Sequence, residues 1–279
     1  METRISALRS AWEAQGWDSR LESDGPDMIE LRVSSWDNAQ VRELIDAHIG
    51  PSDGLVTAIP PVEPRLFVSD MDSTMIGQEC IDELADYAGL KPQIAAITER
   101  AMQGELDFEA ALRERVGLLA GLDESAIEQC LQDRIAPNPG AKELVETLRG
   151  RGCRTVLVTG GFHHFADRVA AQIGFDRVVG NHLQVEAGKL TGRLDGPVVD
   201  SATKKAVLDE EMQTLEAQAT SLAAGDGAND IPMLDAANIG VAYNAKPKAR
   251  DAANCWIDRG DLTNVLTLLK IGQDKWVRV

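Results

Sequence analysis

LFVSDMDSTMIGQECIDE, residues 66–83, carries an apolar run straight into two aspartates spaced one apart, Asp70 and Asp72, and then into a helical pattern. A short apolar run ending in polar turn residues reads as a buried strand. Two carboxylates at such an end repel each other by about 4 kcal/mol at 4 Å and an effective dielectric near 20. A chain that keeps both needs a compensating charge nearby, or a use for the pair.

Outward from this stretch the chain divides in three. Residues 1–62 read as a small α/β unit, with Ile5, Leu8 and Trp12 at helical spacing, strand-like DMIELRV (27–33), a helix near 38–48 and extended GLVTAI (54–59). Trp12, Trp17 and Trp36 are expected to pack this unit, and PPVEP (60–64) marks its boundary. Residues 77–138 are helical in pattern: Ile81, Leu84, Ala85 and Ala88 form one apolar face, and Phe108, Ala111, Leu112, Val116 and Leu119 another. From 139 onward helices alternate with strands: helix 141–150, strand 155–159, helix 163–173, a hairpin in HLQVEAGKLTGRL (182–194), helix 203–218, then strands 221–226, 239–243 and 255–258. That alternation predicts an α/β fold, a doubly wound, Rossmann-like parallel sheet. Its core comprises 63–76 and 139–279, with 77–138 inserted as a helical cap.

The net charge of −17 and the pI near 4.6 argue against nucleic acid as a partner. An anionic substrate would need a locally reversed field, which a divalent cation supplies. The four cysteines, Cys80, Cys130, Cys153 and Cys255, are widely spread and form no CxxC pair, which predicts a reducing, cytoplasmic setting. The N-terminal stretch lacks a long apolar region and no apolar run approaches membrane-spanning length, so neither export nor a membrane is expected.

Three strands end in polar, glycine-bearing turns: Asp70-Met-Asp72-Ser-Thr, Thr159-Gly-Gly-Phe and Gly225-Asp-Gly-Ala-Asn-Asp230. In open α/β sheets, sites lie at the carboxyl ends of strands. One sheet edge would therefore gather Asp70, Asp72, Asp226 and Asp230, an oxygen-only set suited to Mg²⁺. An aspartate beside such a cation can attack phosphorus, and a second carboxyl group can protonate the leaving alcohol and then activate water. The Thr159 hydroxyl and the Gly160 N–H are candidate phosphate donors, and Lys204 a fixed positive charge. Singly, each feature reads as a turn, a cap or a solvated face; their order and shared placement make the case. His163 and His164, after the TGGF turn, read as polar helix-start residues. Cys80 reads as part of an apolar helix face, and Arg113 as solvated.

In this order the four segments, DMDST (70–74), VTGGF (158–162), Lys204 in VDSATKKAVL and GDGAND (225–230), resemble the haloacid dehalogenase-type phosphohydrolases. DMDSTMIGQECIDELA, DFEAALRERVGLLAGL, GDGANDIPML and NAKPKAR narrow the resemblance, over roughly residues 65–270, to the branch that hydrolyses phosphoserine. The resemblance implies Asp70 as nucleophile and Asp72 as general acid/base. It implies Mg²⁺ on the side chains of Asp70 and Asp226 and the carbonyl of Asp72. Thr159, Gly160 and Lys204 would hold phosphate, with Asn229 and Asp230 in support, Asp230 behind the metal. Glu79 would take the ammonium and Arg115 the carboxylate of L-phosphoserine, whose hydrolysis is the last step of serine biosynthesis. Thr159 departs from the Ser more common in that branch, but the hydroxyl is kept.

Two alternatives stand beside this reading. One is a phosphatase or phosphotransferase for another small phosphomonoester, which would not need both Glu79 and Arg115. The other is a signalling receiver phosphorylated on an Asp, which leaves Asp72 and the cap without a role. The N-terminal unit stays open between a reduced ACT-like or serine-sensing module, a dimerisation element that would make the chain a homodimer, and a packing element.

Overall fold

The computed structural model describes residues 2–23, 28–34, 37–102 and 105–278. Trp36 and Asp27 lie outside them. The chain begins with α1 (Glu2–Ala14), a two-stranded antiparallel pair of β1 (Ser19–Ser23) and β2 (Ile29–Val33), and α2 (Asn38–His48). Asp37 caps α2 by accepting from the Gln40 N–H at 3.0 Å, one of the orphan donors of a helix start. Leu8, Trp12 and Val41 are buried together between these elements, with Trp17 packed against them.

The extended segment expected at 54–59 is shorter in the structure. Only β3 (Gly54–Leu55) is strand, and it pairs with the main sheet rather than with β1 or β2. β4 (Leu66–Ser69) is buried at every residue. Its residues alternate between two cores: Leu66 and Val68 pack on one sheet face, and Phe67 on the other. Coverage of both faces is why the strand reads as a continuous apolar run rather than an alternating one.

Four helices, α3 (Cys80–Tyr87), α4 (Lys91–Met102), α5 (Phe108–Leu118) and α6 (Ser125–Arg134), follow β4. Then follow α7 (Ala141–Gly150), β5 (Arg154–Phe162), α8 (His163–Ile173), the hairpin of β6 (Arg177–Glu186) and β7 (Lys189–Asp195), and α9 (Ser201–Gln213). The chain closes with β8 (Ser221–Gly225), α10 (Ile231–Ala236), β9 (Ile239–Tyr243), α11 (Pro247–Ala252), β10 (Cys255–Ile257) and α12 (Thr263–Leu268). Further segments depart from the expected ranges, α9 and β5 among them. α9 stops at Gln213 because the Thr214 hydroxyl takes the Glu211 carbonyl at 2.7 Å and ends the ladder. β5 runs past Thr159 to Phe162 through a register shift over the glycine pair.

The main sheet has eight strands in the order β3-β10-β9-β8-β4-β5-β6-β7. Pairings from β10 through β6 are parallel, and the two edge pairings are antiparallel. The fold is thus α/β with a parallel-dominated sheet, as the alternation predicts. β8, β4 and β5 are adjacent at its centre, so their carboxyl ends meet.

Candidate active site

The site grows from the end of β4. Asp70 continues the ladder, its N–H donating to the Ala224 carbonyl at 2.9 Å, while the Met71 N–H donates to its Oδ1 at 2.8 Å. The chain then folds tightly: the N–H groups of Thr74, Met75 and Ile76 all point to the Met71 carbonyl. Ser73 sits in the left-handed region with φ 57°, uncommon for a residue with a Cβ. Its hydroxyl donates to Glu79 Oε1 at 2.7 Å, so the turn also fixes Glu79, which stands at the N-cap of α3. Asp72 Oδ2 accepts the Cys80 N–H at 3.1 Å, and its Oδ1 is buried with no partner among the described residues.

Beneath Asp70 lies a buried lysine. Lys204, 1% exposed, places Nζ 2.7 Å from Asp70 Oδ1 and 2.7 Å from Asp230 Oδ1. Asp230 Oδ2 accepts the N–H groups of Asp226 and Gly227 at 3.1 and 3.0 Å. Oxygens of Asp70, Asp226 and Asp230 lie within 4.8 Å of one another, a donor set able to hold a metal ion. Both Asp230 oxygens are already engaged, so this carboxylate fixes its neighbours. Asp70 and Asp226 keep an oxygen to offer, and all-oxygen donors fit a hard cation.

The charges perturb one another. Burial, and then the Asp230 charge, push the Asp70 carboxyl well above its usual range against the pull of Lys204. Burial and the Glu79 charge push Asp72 up to about 7. Burial raises Glu79 and Asp226 as well. Burial alone would lower the Lys204 pKa, but the charges of Asp70 and Asp230 outweigh it and keep the ammonium protonated.

A cavity of about 190 Å³ opens above these groups. Among the expected residues, Asp70, Asp72, Glu79, Arg115, Thr159, Gly160, Asp226 and Asn229 line it. Lys204 and Asp230 sit behind it. Burial lowers the Arg115 pKa, against the charges of Asp82 and Glu79, and its Nε makes a long hydrogen bond, 3.4 Å, to the Ala111 carbonyl. The Gly160 carbonyl is tied to Asn181 Nδ2 at 2.8 Å, and Thr159 Oγ1 accepts the Gly161 N–H at 2.9 Å. A wider, open cleft of about 580 Å³ near Asp123, Glu128, His164 and Arg168 shares no residue with this cavity, and there Arg168 pairs with Glu128. His163 turns to Asp167 at 2.9 Å and stacks on His182, and Arg113 pairs with Glu109.

The haloacid dehalogenase-like hydrolase family model matches residues 67–235, which spans β4, the helical insertion and the turn after β8. The chain belongs to this family. A phosphoserine phosphatase of Albidiferax ferrireducens is 45% identical to the hydrolase over 212 residues, covering 74% of this chain and 90% of that one. A crystal structure of a family hydrolase from Salmonella enterica serovar Typhi superposes with TM-score 0.83 at 27% identity, covering 96% of this chain and 95% of that one. A phospho-aspartyl intermediate analogue of phosphoserine phosphatase superposes with TM-score 0.66 at 36% identity, covering 74% of this chain and 99% of that one.

Three groups of the hydrolase's cavity escape sequence reasoning. Lys246, at the N-cap of α11, places Nζ 3.3 Å from Asp226 Oδ2. Its only signal is membership of NAKPKAR, with no spacing to assign a role. Phe108 lies on an otherwise buried helix face but is 42% exposed at the cavity, against Gly160. The Cys80 backbone N–H holds Asp72, which no side-chain pattern reveals.

Proposed function

We propose that this hydrolase converts L-phosphoserine to L-serine and phosphate. The observation that carries the reading is one cavity lined by the strand-end aspartates Asp70 and Asp72 together with Arg115 and Glu79. A cation and a carboxylate in one cavity match the carboxylate and ammonium of an amino-acid head group. The similar phosphoserine phosphatases, one of them described as a phospho-aspartyl intermediate analogue, support it.

Asp70 attacks phosphorus with the oxygen not held by Lys204. The bond from phosphorus to the serine oxygen breaks, and Asp72, whose raised pKa of about 7 keeps a large share of it protonated near neutral pH, donates its proton to that oxygen. Water then attacks the aspartyl-phosphate, Asp72 takes its proton back, and phosphate leaves with Asp70 regenerated. Thr159, Gly160 and Asn229 donate to the phosphate oxygens. Lys204 offsets the charge at Asp70 throughout. Mg²⁺ would be held by the carboxylates of Asp70 and Asp226 and the carbonyl of Asp72, supplying positive charge against two anions. Residues 77–138 serve as a cap that excludes water over the cavity, and the unpaired thiols suit the cytoplasm.

The test is phosphate release with Mg²⁺ from L-phosphoserine and a panel of small phosphomonoesters, with EDTA and Asp70→Asn as controls. Preference for L-phosphoserine, lost in both controls, supports the proposal. Preference for another ester keeps the chemistry and overturns the substrate. A long-lived phospho-aspartate without turnover would favour the receiver alternative.

A further inference from the structure

The reaction above gives residues 1–62 no task, yet α2 grips the helix that ends at the cavity. Arg250, in α11, forms a paired contact with Asp46, Nη1 and Nη2 each 2.7 Å from a different carboxylate oxygen. The Nε of the same guanidinium lies 2.9 Å from Asp258. Arg42, 6% exposed, donates to the carbonyls of Arg250 and Ala253, the carboxyl end of α11. Both guanidiniums lie over the Trp256 ring, 5.2 and 5.4 Å from its centroid. A cation on the last carbonyls satisfies acceptors that a helix end leaves open. Here that cap comes from a remote part of the chain.

The other end of α11 is Lys246. Its N–H donates to the Asp226 carbonyl at 2.8 Å, and its carbonyl accepts the Ala249 and Arg250 N–H groups at 3.0 Å. Its Nζ reaches into the cavity beside Asp226. α11 is six residues long, about 9 Å, so a shift at Arg250 is carried directly to Lys246.

We propose that Arg42 and Asp46 are positioning residues, which by fixing α11 hold the Lys246 ammonium in the cavity to meet the substrate's phosphate. This rests on the phosphomonoester reading. A grip that only stabilises the fold would leave phosphate binding unchanged in protein that stays folded.

The experiment is a double-mutant cycle on the full chain with Mg²⁺. Asp46→Ala and Arg42→Met are measured alone and combined with Lys246→Met. The readouts are KM and kcat on whichever phosphomonoester the wild type turns over fastest, and the dissociation constant of inorganic phosphate. Glu30→Gln, which removes the 2.7 Å contact from Lys270 to the same N-terminal unit, is the reference. Each grip substitution should raise KM and weaken phosphate binding about 3- to 10-fold with kcat within about twofold, as should Lys246→Met. In the Lys246→Met background the grip substitutions should add less than about twofold, and Glu30→Gln should change nothing. Effects that multiply, unchanged phosphate binding in the grip variants, or an equal effect of Glu30→Gln would each overturn the proposal. If the first variants do not fold, Asp46→Asn and Arg42→Lys are read the same way. A wrong substrate assignment would show as wild-type preference for another ester, with the phosphate constants still readable.

Discussion

At the scale of single residues the site is a set of carboxylates kept where water and distance would otherwise separate them. Asp72 shows what that costs. Its carboxyl is raised by burial and by Glu79 to about 7, so the folded chain binds that proton more tightly than the unfolded chain. Stability from this group is full below its ordinary pKa and is lost as pH rises through about 7. In EDTA, Asp72→Asn should therefore melt above wild type at pH 8, by on the order of 2–4 kcal/mol, and converge with it near pH 4. Equal melting at pH 8 would contradict the raised pKa. The same titration divides the reaction. Formation of aspartyl-phosphate, which needs the acid, should fall above about pH 7, and its hydrolysis, which needs the base, should fall below it; rapid-quench kinetics across pH separate the two. Arg115→Ala should raise KM for L-phosphoserine about 10- to 100-fold, since a half-buried charge partner in the cavity is lost, and change kcat less.

At the scale of elements, the strand ends depend on glycine where backbone and carboxylate crowd. A Cβ on Gly225 would lie 2.5 Å from Asp230 Cβ, Cγ and Oδ2. Gly225→Ala should push Asp230 off Lys204 and the two N–H groups it accepts, and lower kcat at least about 10-fold by steady-state assay. The central strands were legible because each is short, apolar and followed by a polar turn, a pattern that burial on both faces imposes. Asp70, Asp72 and Asp226 came with them, because a strand's end locates its turn. Lys246 was not legible: its place depends on how β9 turns into α11 and on a contact with Asp226 twenty residues before it. Nor was the setting of Lys204, which a helical pattern presents as surface and the fold buries between two carboxylates. β3 escaped for another reason. Two residues carry no periodicity, and their partner strand lies two hundred residues away.

At the scale of the whole molecule, the chain carries a net charge of −17 and concentrates buried carboxylates at one sheet edge. A divalent cation that binds the folded chain alone should raise the melting temperature, with a gain near 2.7 kcal/mol at one hundred times its dissociation constant. Calorimetry in EDTA and in excess Mg²⁺ checks this, and Asp226→Asn should abolish most of the difference. The N-terminal unit reaches the rest of the chain not only through α2 but also through β3, which lies along the outer edge of β10 with Gly54 against the Trp256 ring. β10 is buried at all three of its residues. A protein cut at the proline-rich segment would thus surrender a bare, greasy strand rim to its neighbours, and its failure in solution would be one of stickiness, with chains adding edge to edge, before any question of chemistry arose.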